Sequence, residues 1–505
     1  MKPTLKLLRD LLPISHLPAG RKAAEVRELL DTVSGLSAHE VAKELTERVI
    51  PAVAEQKNTH MRFRLLEEAL QEAEKALPVL ERHIDLSSLP LPLAATTSAL
   101  TADNLMKALV GGYFKLARTI FQGSQQERLI RIFNRATHRA MMLLARRQQL
   151  AYRSYAKPSA STWSMLHELC RMARTLRARL PKEEIAPIEH QYLSALLFAY
   201  LEPGKLPRDE LVAAIFCTRQ LALHAVIAED APDTGNRKAA AERFLVRPGE
   251  AGPGIPLLRL PPGTPLDDCL IIDCSGVLVE LDKSLSRIAA DNGGSEPEIP
   301  PGLLQALRQA IGVRAVRRFQ RKAFKPHADL VGGIAHVIPF IEGDAHSRRA
   351  IDLVARRGAR GFQSSEWALV DQSPDGFLVR FIQGENWKLG VGNLVALQAR
   401  ESSSVHVCLV RRIATTSQGS LELGLQALSP QVSVVDLPGH GEIRRGIYLH
   451  SLPGYGNRPG IIARPGHLAS GHKLRLDAHG DTQLWQIGRR LEASEGLEFF
   501  ALVPL

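Results

Sequence analysis

The sequence predicts an α+β protein: an all-helical N-terminal domain, then a C-terminal antiparallel β-barrel with an extra small β unit. Three observations lead there. Up to about residue 228, apolar residues recur at three- and four-residue intervals, while Gly and Pro are thin. From Pro232 to Pro265 prolines and glycines crowd together, as in Pro248-Gly249, Gly252-Pro253-Gly254 and Pro261-Pro262-Gly263. Beyond that stretch the apolar spacing moves toward two, in short Val/Ile/Leu-rich runs divided by turns.

At 505 residues the chain is too long for one ordinary core. The expected boundaries are a helical domain over 1–228, a Pro/Gly-rich linker over 229–265, a mixed α/β entry segment over 266–313, the barrel over 314–432 and the C-terminal β unit over 433–505. A hydrophobic content of 45% with 23% charge belongs to a folded chain. With aromatics at 5%, the cores must be built mainly from Leu, Ala, Val and Ile. The formal charge of +11 favours an anionic partner: a nucleotide, a nucleic acid, an acidic protein or an anionic membrane surface.

Cys170, Cys217, Cys269, Cys274 and Cys408 are scattered, and no C-x-x-C pair occurs. That supports neither a disulfide framework nor a zinc site, and a reducing compartment is the simplest expectation. Asp10 and Pro13 interrupt the basic N-terminus, so it does not read as a signal peptide. The longest apolar stretch, around Leu193 to Leu201, falls far short of the ~20 residues that span a bilayer. A soluble cytoplasmic protein is expected.

Taken in order, Ser37-Ala-His-Glu40 fits a capping box that opens a helix. Thr101-Ala-Asp-Asn104 precedes an apolar-periodic run through Leu105, Leu109 and Phe114. Arg128, Arg131, Arg135 and Arg139 form a stripe along a helix whose other face carries Leu129, Ile132, Phe133, Ala136, Ala140 and Leu144. The stripe is either a solvated face or a docking surface for an acidic partner. Further on, Cys269 to Asp273 and Val277 to Leu281 read as strand-like runs, the second leading toward a helix through Lys283 to Ala290. Pro300 to Arg318 reads as a helix. After Pro430, strand-like runs recur at Gly446 to His450, Pro459 to Ile462, His472 to Leu476 and Leu497 to Val503. Asp481 to Leu491 fits either a helix or a strand.

Two patches carry chemistry. The first is Arg317-Arg318-Phe-Gln-Arg321, with Arg314 just before it. Arginine pairs bidentately with phosphate and with guanine O6 and N7, and its plane stacks on a base. As plain structure, the same cluster is a solvated helix end, where cations complement the dipole. The second patch is Asp371-Gln-Ser373-Pro-Asp-Gly376, between two strand-like runs. There Asp371 and Ser373 are suited to bonding nearby amides, and Gly376 can take the positive φ that closes a tight turn.

Together the patches resemble the signature of the PilZ domain family: R-x-x-x-R in an N-terminal switch segment, then [DN]-x-S-x-x-G on a barrel. Leu389-Gly-Val-Gly-Asn-Leu-Val-Ala-Leu397, Val405-His-Val-Cys-Leu-Val-Arg411 and Leu421-Glu-Leu-Gly-Leu-Gln426 are similar to the strands that follow in that family. The resemblance implies a barrel of PilZ type and a receptor for the bacterial second messenger cyclic di-GMP, not an enzyme. In such proteins the arginines grip the phosphates and guanines, the Asp and Ser contact a guanine or hold the arginines, and the glycine keeps the turn open. By motif matching those ligand-binding roles fall to Arg317, Arg318 and Arg321, and to Asp371, Ser373 and Gly376.

Between Arg321 and Asp371 lie 49 residues, more than the family usually has, which implies an insertion around Gly343 to Ser365. A second pair, Arg356 and Arg360, also fits R-x-x-x-R, but it leaves no room for a barrel strand before Asp371.

Other signals fall short. Gly454-Tyr-Gly456 lacks the third glycine of a dinucleotide fingerprint, and no P-loop follows a strand. His467, His472 and His479 have no acid or cysteine at zinc spacing, so no metal is expected. Asp273-Cys-Ser275-Gly276 lacks the G-x-S-x-G context of a nucleophile. The expected function is an effector in which cyclic di-GMP changes the interdomain arrangement and the binding of a protein partner through the helical domain, with no cofactor. The alternatives are a ligand-free PilZ-like scaffold or interaction protein and, less favoured, a basic nucleic-acid-binding protein without aromatic stacking platforms.

Overall fold

The computed structural model describes residues 21–123, 127–179, 182–228, 240–261, 264–266, 268–290, 299–312, 322–323, 326–343, 364–384, 389–416, 419–437, 444–478, 481–494 and 496–505. Helices come first and antiparallel sheets follow, as the change of apolar spacing predicts. The helices are α1 (Arg21–Val33), α2 (Ala38–Glu44), α3 (Ile50–Ala54), α4 (Thr59–Asp85), α5 (Leu93–Gln122), α6 (Glu127–Arg153), α7 (Ala160–Thr175), α8 (Lys182–Tyr200) and α9 (Arg208–Leu221).

The capping box is formed: the Ser37 amide donates to Glu40 Oε2 at 2.9 Å, and the Glu40 amide donates to Ser37 Oγ at 3.4 Å. Thr101 lies inside a helix instead of ahead of one. Helix α5 already starts at Leu93, and the Thr101 hydroxyl donates to the Thr97 carbonyl of the preceding turn at 2.9 Å.

The chain forms two compact units. One comprises residues 21–83, Thr97–Leu144 and Leu169–Ile188; the other comprises Ile84–Thr96, Ala145–Glu168 and Glu189–Leu505. In the first unit Leu45, Leu65, Leu105, Leu109 and Phe133 are fully buried, the Leu-rich core that so few aromatics require. A Cβ on Gly112 of α5 would fall 2.7 Å from the side chain of Leu66 on α4, so the two helices approach where glycine lets them.

The second unit holds all the sheets. A small one, ordered β1-β4-β2-β3, is built from β1 (Val226–Ala228), β2 (Arg243–Val246), β3 (Ile255–Pro256) and β4 (Leu270–Asp273). The Pro/Gly-rich stretch therefore contributes two of its strands. Helix α10 (Ser275–Ala290) absorbs Val277 to Leu281, which the sequence suggests as a strand. Two causes decide this. The Asp273 carboxylate accepts from the Ser275 amide and hydroxyl at 2.9 and 2.6 Å, starting a helical turn. Val277 and Leu281 then lie one turn apart on the buried face. Helix α11 (Pro301–Ile311) follows.

Next come β5 (Lys322–Ala323), β6 (His327–Gly332), α12 (Ile334–Ile341), β7 (Ser365–Ser373), β8 (Gly376–Gln383), β9 (Leu394–Ala399), β10 (Val405–Thr415) and β11 (Leu421–Ala427). They make a sheet ordered β5-β7-β6-β9-β10-β11-β8, and β8 also pairs with β7. The second pairing closes β6 to β11 into a six-stranded barrel and leaves β5 alongside β7. Helix α12 lies between β6 and β7, ahead of the insertion expected around Gly343 to Ser365, of which residues 344–363 lie outside the described residues.

The remaining strands, β12 (Val432–Leu437), β13 (Arg444–Leu452), β14 (Arg458–Ala463), β15 (Lys473–Ala478), β16 (Asp481–Ser494) and β17 (Leu497–Pro504), form an antiparallel sheet ordered β12-β13-β14-β17-β16-β15. Asp481 to Leu491 is thus a strand. This sheet and the barrel share a core. Val407 and Leu409 of β10, with Leu394 and Ala396 of β9, meet Ile447, Leu449, Ile462 and Phe499, and Val337 and Phe340 of α12 join them. The intervening Cys408 and Val410 are fully buried too, so β10 is covered on both faces, hence its unbroken apolar run.

Candidate functional site

The second sequence patch is a two-residue hairpin. Ser373 ends β7 opposite Gly376, which begins β8, with Pro374-Asp375 as the turn. Gly376 has φ +152°, and a Cβ there would fall 1.9 Å from the Leu425 carbonyl oxygen of β11. The glycine is therefore required by the neighbouring backbone as well as by the turn. The Asp375 carbonyl accepts from the Ala427 amide at 3.0 Å, tying the turn to the end of β11. The Ser373 hydroxyl reaches the Gly376 carbonyl only at 3.4 Å, and both Asp371 and Ser373 are half-buried.

Arg317, Arg318 and Arg321 lie outside the described residues, and so do Arg356 and Arg360. What the structure does show is where the chain goes next. Lys322, the residue after Arg321, pairs with Gln372, and Ala323 pairs with Asp371. Strand β5 thus runs beside the hairpin that carries Asp371 and Ser373.

Strand register assembles an outer face next to the hairpin. Asp371 pairs with Leu378, Leu378 with Gly424, and Gly424 with Arg412, a row across β7, β8, β11 and β10. In the adjoining row Ser373 pairs with Gly376 and Gly376 with Gln426. A bulge between Val410 and Arg412 redirects Arg411, whose Nε donates to Gln426 Oε1 at 2.6 Å and whose Nη1 donates to Glu492 Oε2 at 2.9 Å.

Away from the hairpin, the barrel holds a buried charge network. Glu366 of β7 accepts from the Gln383 side-chain amide at 2.7 Å, lies 2.6 Å from His327 Nδ1 and is 3.0 Å from Arg400 Nη1. Arg400 also lies 3.7 Å from the buried Asp329. The Gln383 amide above all, with His327 and Arg400, holds the Glu366 carboxyl down at about 2.

Arg135 and Arg139 of the α6 stripe are engaged within the first unit. Arg139 grips Glu67 through Nε at 3.1 Å and Nη2 at 3.0 Å, and Arg135 lies 4.9 Å over the Phe63 ring. The Tyr113 hydroxyl also donates to Glu67, at 2.6 Å. Among the described residues no group of three or more His, Cys, Asp or Glu could hold a metal, and no helix is long and apolar enough to cross a membrane.

Residues 23–232 match a family model. It is described as the N-terminal domain of the cyclic-di-GMP receptor FimW. The matched stretch is less than half of the chain and covers the helices up to β1, whereas the PilZ resemblance falls on the barrel. Comparison with curated proteins finds no match, and comparison with solved structures finds none either. Sequence reasoning attached no family to the matched stretch. Sequence reasoning also missed the Glu366 network and Arg412, since each is assembled from separate strands by register.

Proposed function

We propose that this protein is a cyclic-di-GMP receptor whose ligand is held by Arg317, Arg318 and Arg321 together with Asp371, Ser373 and Gly376. One observation carries the reading: β5, which directly follows Arg321, runs beside Asp371 and Gln372. The chain that follows Arg321 is thereby found beside the hairpin motif that lies 49 residues further along the sequence. Arginine forks and a carboxylate-hydroxyl turn are the chemistry that recognises phosphates and guanine edges. The FimW-like helical stretch points to the same ligand independently.

Ligand phosphates draw the arginine segment onto the barrel and thereby change the arrangement of the helices and their binding of a protein partner. A connection inside the second unit supports this coupling. The Thr415 amide of β10 donates to the Tyr155 carbonyl at 2.7 Å, and its hydroxyl donates to the Ser154 carbonyl at 3.1 Å, both just beyond the end of α6.

A second reading, a ligand-free scaffold with a PilZ-like barrel, is favoured by Gly376, which the Leu425 carbonyl demands without any ligand. Isothermal titration with cyclic di-GMP separates the two, with GTP and cyclic di-AMP as controls. Low-micromolar, guanine-specific binding that is lost in an Arg317→Ala, Arg321→Ala double variant is expected of the receptor. Binding that survives the double variant moves the site elsewhere, and no heat at any salt concentration leaves the scaffold.

A further inference from the structure

We infer that Arg412 and the bare strip beside it extend the nucleotide site across the barrel, with Arg412 holding a phosphate at the end away from the arginine motif. The inference rests on the ligand reading above and adds Arg412, which lies outside the stretches that carry the resemblance.

The row Asp371, Leu378, Gly424, Arg412 crosses four strands on one outer face. At strand spacings of roughly 4.8 Å, its ends are about 14 Å apart. Between them stand one partly exposed leucine and a glycine. Gly424 has no side chain to raise a planar base off the sheet, and a Cβ there would come within 3.2 Å of Arg412 Cβ. The face is therefore flat and apolar in the middle, carboxylate at one end and guanidinium at the other.

Charge pairing distinguishes Arg412 from its neighbours. Arg380 on the same barrel sits on Glu422 at 2.7 Å, Arg411 grips Glu492, and Arg400 holds Glu366 and Asp329. Arg412 is exposed and makes no ion pair among the described residues. Its stem lies near Gly204, where a Cβ would sit 3.9 Å from Arg412 Cγ. An exposed arginine left without a counter-charge is suited to an anion supplied by a ligand. Gln426, opposite Gly376 and fixed by Arg411, adds a polar edge to the same strip.

The test is titration of the full chain with cyclic di-GMP, comparing wild type with Arg412→Ala, Arg412→Gln and Gly424→Leu. Loss of a charge-assisted contact should weaken binding roughly ten- to hundred-fold in both Arg412 variants. Gly424→Leu, which covers the strip without removing a charge, should weaken it as well. Thermal melting checks that each variant is folded, and Arg412→Gln, which retains a polar side chain, serves if the alanine variant is not. Wild-type affinity in the Arg412 variants, with binding abolished by Arg317→Ala, Arg321→Ala, would overturn the inference and leave the receptor reading standing. Absence of binding by the wild type would overturn both.

Discussion

Replacing Glu366 by glutamine should remove a pH dependence that the folded barrel owes to a single carboxyl group. Its pKa falls from the usual 4.5 to about 2 in the folded chain. The folded state then binds the proton more weakly than the unfolded one, so the contribution is complete above pH 4.5 and lost as the pH falls toward 2. At about 1.4 kcal/mol per pH unit, the shift corresponds to roughly 3 kcal/mol at neutral pH. The Glu366 side chain is 7% exposed, but its partners His327 and Arg400 are 51% and 30% exposed, so solvent screening brings this down to about 1–2 kcal/mol. In the second unit, which is larger than 250 residues, that amounts to about 2–4 °C in melting temperature. Melting of wild type and Glu366→Gln by circular dichroism between pH 7 and pH 3 measures it. The wild type should be the more stable at pH 7, and the gap should narrow steadily below pH 4.5. Two curves that stay parallel through this range would refute the reasoning, because Arg400, Gln383 and His327 would then contribute nothing specific to the charged form.

Two further substitutions probe the hairpin and the helices. Gly376→Ala drives a methyl group against the Leu425 carbonyl, and a cost of about 2–4 kcal/mol is expected in the denaturant midpoint, along with weaker binding of cyclic di-GMP. Glu67→Ala leaves Arg139 and the Tyr113 hydroxyl without their shared acceptor in a largely buried place. A loss of about 2–3 kcal/mol by urea unfolding is expected, and it should shrink when Arg139 is also replaced by methionine.

Legibility followed the range of the physics involved. The capping box at Ser37 and Glu40 is set by residues three apart, and the hairpin between β7 and β8 by its own turn residues, so both are readable. Val277 to Leu281 misled because a short apolar run suits a strand as well as one helical turn, and the deciding Asp273 cap is an interaction of side-chain geometry. The hairpin glycine was recognisable by its turn, but its contact with Leu425 depends on a strand 49 positions later. Within the candidate site, Asp371 and Ser373 stood in a motif. Arg412 did not, because only the register of β10 on β11 carries it to the same face.

The double cover on β10 bears on how the chain can be divided. The sequence divides most naturally near Pro430, where the barrel strands end and the C-terminal β strands begin. A cut there would strip Ile447, Leu449, Ile462 and Phe499 from Val407, Leu409 and Leu394 and leave an apolar barrel wall facing water. The C-terminal strands thus serve the barrel as a solubilising coat, so a shortened chain that clumps would report the missing coat rather than a misfolded barrel.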